Sequence, residues 1–234
     1  MPPAAQLQRA CWGVLCAMPE ELGGLRQNQV GRSQQLGLEL LELDVDGVRV
    51  LATVAGIGKV RAAQGAAALI AAGATRGLFV VGVCGGLRRA LVPGTLLHCT
   101  RAVQADFAVR GDREFESDAA LRSAWRRTSP AEEGWFLTAD RPVMSLWRRL
   151  RLARAFLGPC VADMETAAAA AVAARAGVPW AALRAVTDPA TATGLATFKL
   201  HFSSQAGRCA DTVPDLLRAL AAQEEPMAGR QGGR

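Results

Sequence analysis

The chain has no tyrosine, and aromatic residues of all kinds make up only 5% of its 234 positions. A nucleic-acid binder needs a basic face interleaved with stacking or base-reading groups. That platform is missing here, so the formal net charge of +6 does not point to nucleic acid. The densest basic group, Arg148, Arg149, Arg151 and Arg154, reads as the solvated face of a surface helix. Histidine is nearly absent too. His98 and His201 lie far apart, and none of Cys11, Cys16, Cys84, Cys99, Cys160 and Cys209 forms a C-x-x-C pair. No metal is expected, and no organic cofactor is suggested. No run reaches the ~18 apolar residues of a membrane span. The start, Met1-Pro2-Pro3-Ala4-Ala5-Gln6, lacks the basic and apolar regions of a secretory signal, so the cytoplasm is the expected location.

What is present fits an enzyme-sized α/β fold. Half of the residues are hydrophobic, enough for one large core. Cys11 to Ala17 reads as a buried strand, followed by a helix opening at Pro19 with Glu20 and Glu21 in its first turn. Leu38 to Val45 and Val48 to Val54 read as a hairpin about Asp46-Gly47. Gly56-Ile57-Gly58 leads into a helix from Lys59 to Ala72. Leu78 to Val83 and Thr95 to Val103 are further strands. Gln104 to Glu133 reads as polar and irregular, a lid or an oligomer contact. Gly134 to Thr138 returns to strand, and Met144 to Phe156 reads as an arginine-rich amphipathic helix. A last helix is expected over roughly Ser203 to Ala222, with Pro214 near its start. These elements predict a single domain with a mixed, largely parallel central sheet flanked by helices. The expected bounds are an N-terminal extension over 1–10, the domain over 11–222 and a disordered tail over 223–234.

The segment Val161-Ala162-Asp163-Met164-Glu165-Thr166 carries the most information. It ends an apolar approach and opens an alanine-rich helix, Ala167 to Ala176. The next apolar run, Trp180 to Val186, ends at Thr187-Asp188-Pro189. Strand, helix, strand places carboxylates at the carboxyl ends of two strands, where open α/β sheets bind ligands. Two glycine turns stand in comparable positions. Gly56-Ile57-Gly58 is not a dinucleotide fingerprint, because Arg61 occupies the last glycine position, and the spacing to Lys59 is wrong for a phosphate loop. Val81-Gly82-Val83-Cys84-Gly85-Gly86-Leu87 is the second. Cys84 is the thiol to test for reactivity, although neither histidine is near it in sequence. Each acid has a plainer reading: Glu20, Glu21 and Glu165 as helix N-terminal acids, Asp188 as a turn former.

Taken in order, these pieces resemble the purine nucleoside phosphorylase and nucleosidase superfamily, most closely the bacterial methylthioadenosine/S-adenosylhomocysteine nucleosidases. The matching segments are Ala17-Met18-Pro19-Glu20-Glu21, Ala55 to Val60, Gly82 to Leu87, Asp163-Met164-Glu165 and Arg184-Ala185-Val186-Thr187-Asp188. The resemblance implies a three-layer sandwich, a homodimer and a small nucleoside substrate. It makes Asp188 the general acid at N7 of the purine and Glu21 the group that positions and activates water. Glu165 would bind the ribose hydroxyls, Met164 would pack on the sugar, and Val143 would lie near the base. Gly56 and the turn Val83-Cys84-Gly85 would line the substrate site.

Phosphorylases of this superfamily hold phosphate with arginines and a serine. This chain has Pro19, Glu20 and Glu21 at one such place and Val80 and Val83 at the others, which favours attack by water. The nucleosidases usually carry serine where Val83 stands. Phosphorolysis, nucleosidases acting on futalosine or adenosyl hopanoids, and a non-catalytic nucleoside-binding protein on the same fold remain alternatives.

Overall fold

The computed structural model describes residues 10–228 apart from 110, 112, 192 and 193. Ten strands join in one sheet: β1 (Trp12–Cys16), β2 (Gln29–Gln35), β3 (Leu38–Val45), β4 (Val48–Val54), β5 (Gly77–Gly86), β6 (Leu96–Gln104), β7 (Glu114–Glu116), β8 (Glu132–Thr138), β9 (Cys160–Asp163) and β10 (Trp180–Asp188). The path runs β10-β6-β8-β9-β5-β1-β4-β3-β2, with β7 beside β6. β10 also pairs with β5, so β5, β10, β6, β8 and β9 close on themselves. The pairings of β1 with β4 and β5, β10 with β5, and β8 with β6 and β9 are parallel. The β2-β3-β4 meander and the contacts of β9 with β5 and β6 with β10 are antiparallel.

Alternation along the strands divides the core in two. Leu15, Leu78, Val80, Ala182 and Val186 face α1 (Lys59–Ala71) and α4 (Thr166–Arg175). Trp12, Val14, Phe79, Val81, Leu183 and Ala185 face the opposite layer, built from α2 (Ala119–Thr128) and α6 (Val213–Ala228). The mixed sheet between helical layers predicted from the sequence is therefore present. Two further helices, α3 (Leu146–Ala155) and α5 (Gly194–Gln205), lie near the strand ends that form the site.

Several local expectations are corrected. The segment opening at Pro19 is a 3-10 helix to Asn28, broken at Gly23, whose φ is 49°. A Cβ on Gly23 would sit 2.8 Å from Gly207 O, so close chain packing shapes this turn. The stretch from Gln104 to Glu133 is more ordered than its polarity suggests. Asp118 caps α2 by accepting from Leu121 N, and Leu121, Ala124 and Trp125 bury one short stripe. On α3, Arg149 is buried and its Nε donates to Leu87 O, while Leu146 and Trp147 face outward. The solvated arginine face is thus incomplete. The last helix does not start near Ser203, which belongs to α5 (Gly194–Gln205). It starts at Val213, with Pro214 its second residue, and continues to Ala228, so 223–228 are helix where a disordered tail was expected, while 1–9 and 229–234 fall outside the described residues. No helix among the described residues is long and apolar enough to cross a membrane.

Candidate active site

Apolar strands end in polar residues on one side of the sheet, and a cavity of about 360 Å³ opens there. Glu21, from the turn after β1, Glu165, at the start of α4, and Asp188, the last residue of β10, all line it. The same wall includes Val83, Cys84 and Gly85 from β5, Met164, and Val143 from the segment after β8. Gly56 does not line the cavity; its neighbour Ile57 does. Gly56 instead takes a φ of 93° with the Arg61 side chain against it, so its freedom serves the turn.

Glu21 is more than a helix N-terminal acid. Its Oε2 accepts N–H bonds from Ala17 at 2.8 Å and Met18 at 3.0 Å, and its Oε1 accepts from Val83 N at 2.9 Å. Burial pushes its carboxyl up; Arg184 and those three N–H donors oppose the rise. The Glu165 carboxylate does not cap its own helix. Oε1 accepts from Gly58 N at 3.1 Å and Oε2 from Arg184 Nη2 at 3.2 Å. Burial raises Glu165 to about 7, with Arg184 acting against the rise and Asp163 adding to it.

Asp188 keeps its turn-forming role and adds another. Oδ2 accepts from Ala190 N at 2.8 Å. The Thr187 hydroxyl lies 3.0 Å from Oδ1 and 3.2 Å from Cys84 O, within donating reach of either. Burial raises the Asp188 carboxyl above its usual range, and the Ala190 and Thr187 bonds favour the ionised form. Space for the group comes from glycine: a Cβ on Gly85 would meet Asp188 Oδ2 at 3.2 Å, and one on Gly194 at 2.9 Å.

The sequence reading gave Arg184 no role, yet it organises the site. It is 1% exposed. Nη2 lies 3.2 Å from Glu165 and 3.3 Å from Asp163, and Nη1 lies 4.0 Å from Glu21 and donates to Val83 O at 3.2 Å. Burial alone would lower its pKa, but Asp163, Glu165 and Glu21 hold it raised. One guanidinium faces three carboxylates, a surplus of negative charge that does not suit a phosphate. Arg141 also lines the cavity and is exposed. Also missed were Ile57, Leu195 and Phe198, apolar residues of the cavity wall. Their only sequence signal was adjacency to a glycine turn or to the Asp188 loop. Cys84 lines the cavity, but burial pushes its thiol well up, which works against a nucleophilic role. All six cysteines are free and buried.

Nearer the surface, Lys59 Nζ bridges Asp106 at 2.8 Å and Asp140 at 3.3 Å. Asp140 N donates to Asp106 Oδ2 at 2.9 Å. This cluster ties the start of α1 to the turns after β6 and β8, next to Ile57 and Arg141.

Known proteins share this fold. A 5'-methylthioadenosine/S-adenosylhomocysteine nucleosidase of Mycobacterium tuberculosis is 27% identical, covering 90% of this chain and 98% of the relative. One from Geobacillus kaustophilus is 26% identical over 88% and 96%. Among solved structures, the nucleosidase of that name from Neisseria meningitidis, in complex with methylthio-immucillin-A, superposes with a TM-score of 0.84 at 25% identity, covering 89% of this chain and 99% of that one. A futalosine hydrolase of Helicobacter pylori shares the fold, with a TM-score of 0.83 at 21% identity over 89% and 97%. The family model described as Phosphorylase superfamily matches residues 12–222, and the chain belongs to that superfamily.

Proposed function

We propose that this protein hydrolyses the N-glycosidic bond of an adenine-type nucleoside, such as methylthioadenosine or S-adenosylhomocysteine, and releases the free base. The observation that carries the reading is the convergence of Glu21, Glu165 and Asp188 on one cavity. The resemblance to named nucleosidases supports the same reaction.

The chemistry follows from the three environments. The Glu165 carboxylate accepts hydrogen bonds from the ribose hydroxyls, and Met164 packs on the sugar. Asp188, raised by burial, gives its proton to N7 of the purine as the C1′–N9 bond breaks and its electron pair moves to the base. The Ala190 N–H and the Thr187 hydroxyl then stabilise the carboxylate left behind. Glu21 takes a proton from water, whose oxygen forms the new bond to C1′. The products are a free base and a free sugar, so atoms and charge balance. The apolar wall near Val143 and Pro142 suits a purine face.

Water is favoured over phosphate because the nucleophile side of the cavity holds Glu21, with Arg184 already engaged by carboxylates. The homodimer and the cytoplasmic location belong to this proposal. Met144, which lines the cavity, is followed by exposed Leu146 and Trp147, an apolar face that a second copy would cover. The test is incubation with methylthioadenosine, adenosylhomocysteine, inosine and futalosine, with and without phosphate. Free adenine at a phosphate-independent rate is expected; ribose-1-phosphate as the main product would reassign the chain to phosphorolysis.

A further inference from the structure

Two side chains outside the machinery just described join its halves. Thr138 ends β8 and is fully buried, between Leu137 and Ala139, which both line the cavity. Asp163 ends β9 with its side chain 0% exposed. Thr138 Oγ1 donates to Asp163 Oδ1 at 2.5 Å and accepts from Ala167 N at 2.9 Å. Asp163 Oδ2 accepts from Thr166 N at 3.2 Å and from the Thr166 hydroxyl, and lies 3.3 Å from Arg184 Nη2. Ala139 N donates to Asp163 O at 3.1 Å.

Capping the start of α4 explains only part of this. A cap requires one acceptor oxygen, and an uncharged asparagine serves as well. Here the second oxygen goes to Thr138, and the charge faces a guanidinium. Burying a carboxylate without a partner is costly, so Arg184 fixes where Asp163 can sit, and Asp163 in turn fixes Arg184. On one side of the pair are Met164 and Glu165. On the other is the wall from Ala139 to Met144.

We propose that Asp163 and Thr138 are positioning residues: the buried Asp163 carboxylate holds Arg184 against Glu165, and the Thr138 hydroxyl locks the wall from Ala139 to Met144 to that same carboxylate. The sugar-side and base-side groups are thereby held in one register. This rests on the nucleosidase reading above.

The experiment uses the full-length chain. Equilibrium binding of a carbocyclic, uncleavable adenine nucleoside is measured across pH, together with kcat/KM for adenine release. In the parent protein, binding strengthens as pH rises through about 7, where Glu165 ionises. Asp163→Asn loosens Arg184 from Glu165, and because Arg184 holds the Glu165 pKa down, the midpoint moves up. An unmoved midpoint, or one that moves down as loss of a like charge alone would give, overturns its assigned role. Thr138→Val lowers kcat/KM by roughly 10-fold or more, the scale of a small misplacement of reacting groups, and Thr138→Ser restores it to within about threefold. Full activity in Thr138→Val, or a loss that serine does not repair, overturns the assignment of Thr138. If Asp163→Asn does not fold, the Thr138 pair decides. A parent protein that releases no base from any nucleoside defeats the nucleosidase reading itself; an active parent with unmoved variants defeats only this inference.

Discussion

Glu21 and Val83 stand 62 positions apart in the chain, and the Val83 backbone N–H donates to Glu21 Oε1 at 2.9 Å. The bond joins the turn after β1 to the carboxyl end of β5. It also changes the meaning of valine at a position where the family resemblance implied serine. The donor to Glu21 at this position is the main-chain N–H, which any residue except proline supplies.

Replacing Val83 by serine therefore keeps the contact to Glu21. We expect kcat/KM for adenine release to change by less than about 10-fold, the worth of one neutral hydrogen bond. A larger gain would mean that the side chain at this position governs the nucleophile, and steady-state kinetics of Val83→Ser against the parent decide it.

Gly82, the neighbour of Val83, has a φ of 146°, and a Cβ there would lie 2.4 Å from Glu21 Oε1 and 2.6 Å from Arg184 Nη1. Gly82→Ala must displace the buried acid and its guanidinium. A loss of about 2 kcal/mol or more in unfolding free energy is expected from overpacking and backbone strain, with activity lost alongside it. Urea denaturation reads the first and base release the second; an alanine variant as stable as the parent would show that the pair has room to move.

Glu165 supplies a pH dependence whose sign is fixed. Its carboxyl is raised to about 7, and in the proposed reaction the ionised form would accept both ribose hydroxyls. Binding of an uncleavable nucleoside should weaken as pH falls through about 7 and strengthen above it. In Glu165→Gln the affinity should be lower and flat across the same window. Calorimetric titration of both proteins provides the comparison, and a pH-dependent Glu165→Gln would assign the titration to another group.

Glu21, Glu165 and Asp188 were legible in the sequence because each follows an apolar run, and a strand end is where a polar side chain can reach a ligand. Arg184 was hidden for the opposite reason. It sits inside the run from Trp180 to Val186, where the surrounding residues argue only for burial, and no local pattern announces that three carboxylates from other elements meet it. The strand from Gln29 to Gln35 was missed because it is polar and pairs only with β3, at the end of the sheet. The helix from Ala119 to Thr128 was missed because three buried residues in ten are a weak periodic signal among arginines. Gly56 shows the converse: a strand-end glycine suggested close approach by a ligand, and the neighbour it accommodates is Arg61.

The most direct measurement is adenine release by Asp188→Asn near neutral pH, run beside nucleoside binding and thermal unfolding. Asparagine keeps an oxygen for the Ala190 N–H but has no proton to give N7. The account predicts a fall in kcat of ~100-fold or more, with binding and unfolding temperature close to those of the parent. Turnover at the parent rate would contradict it.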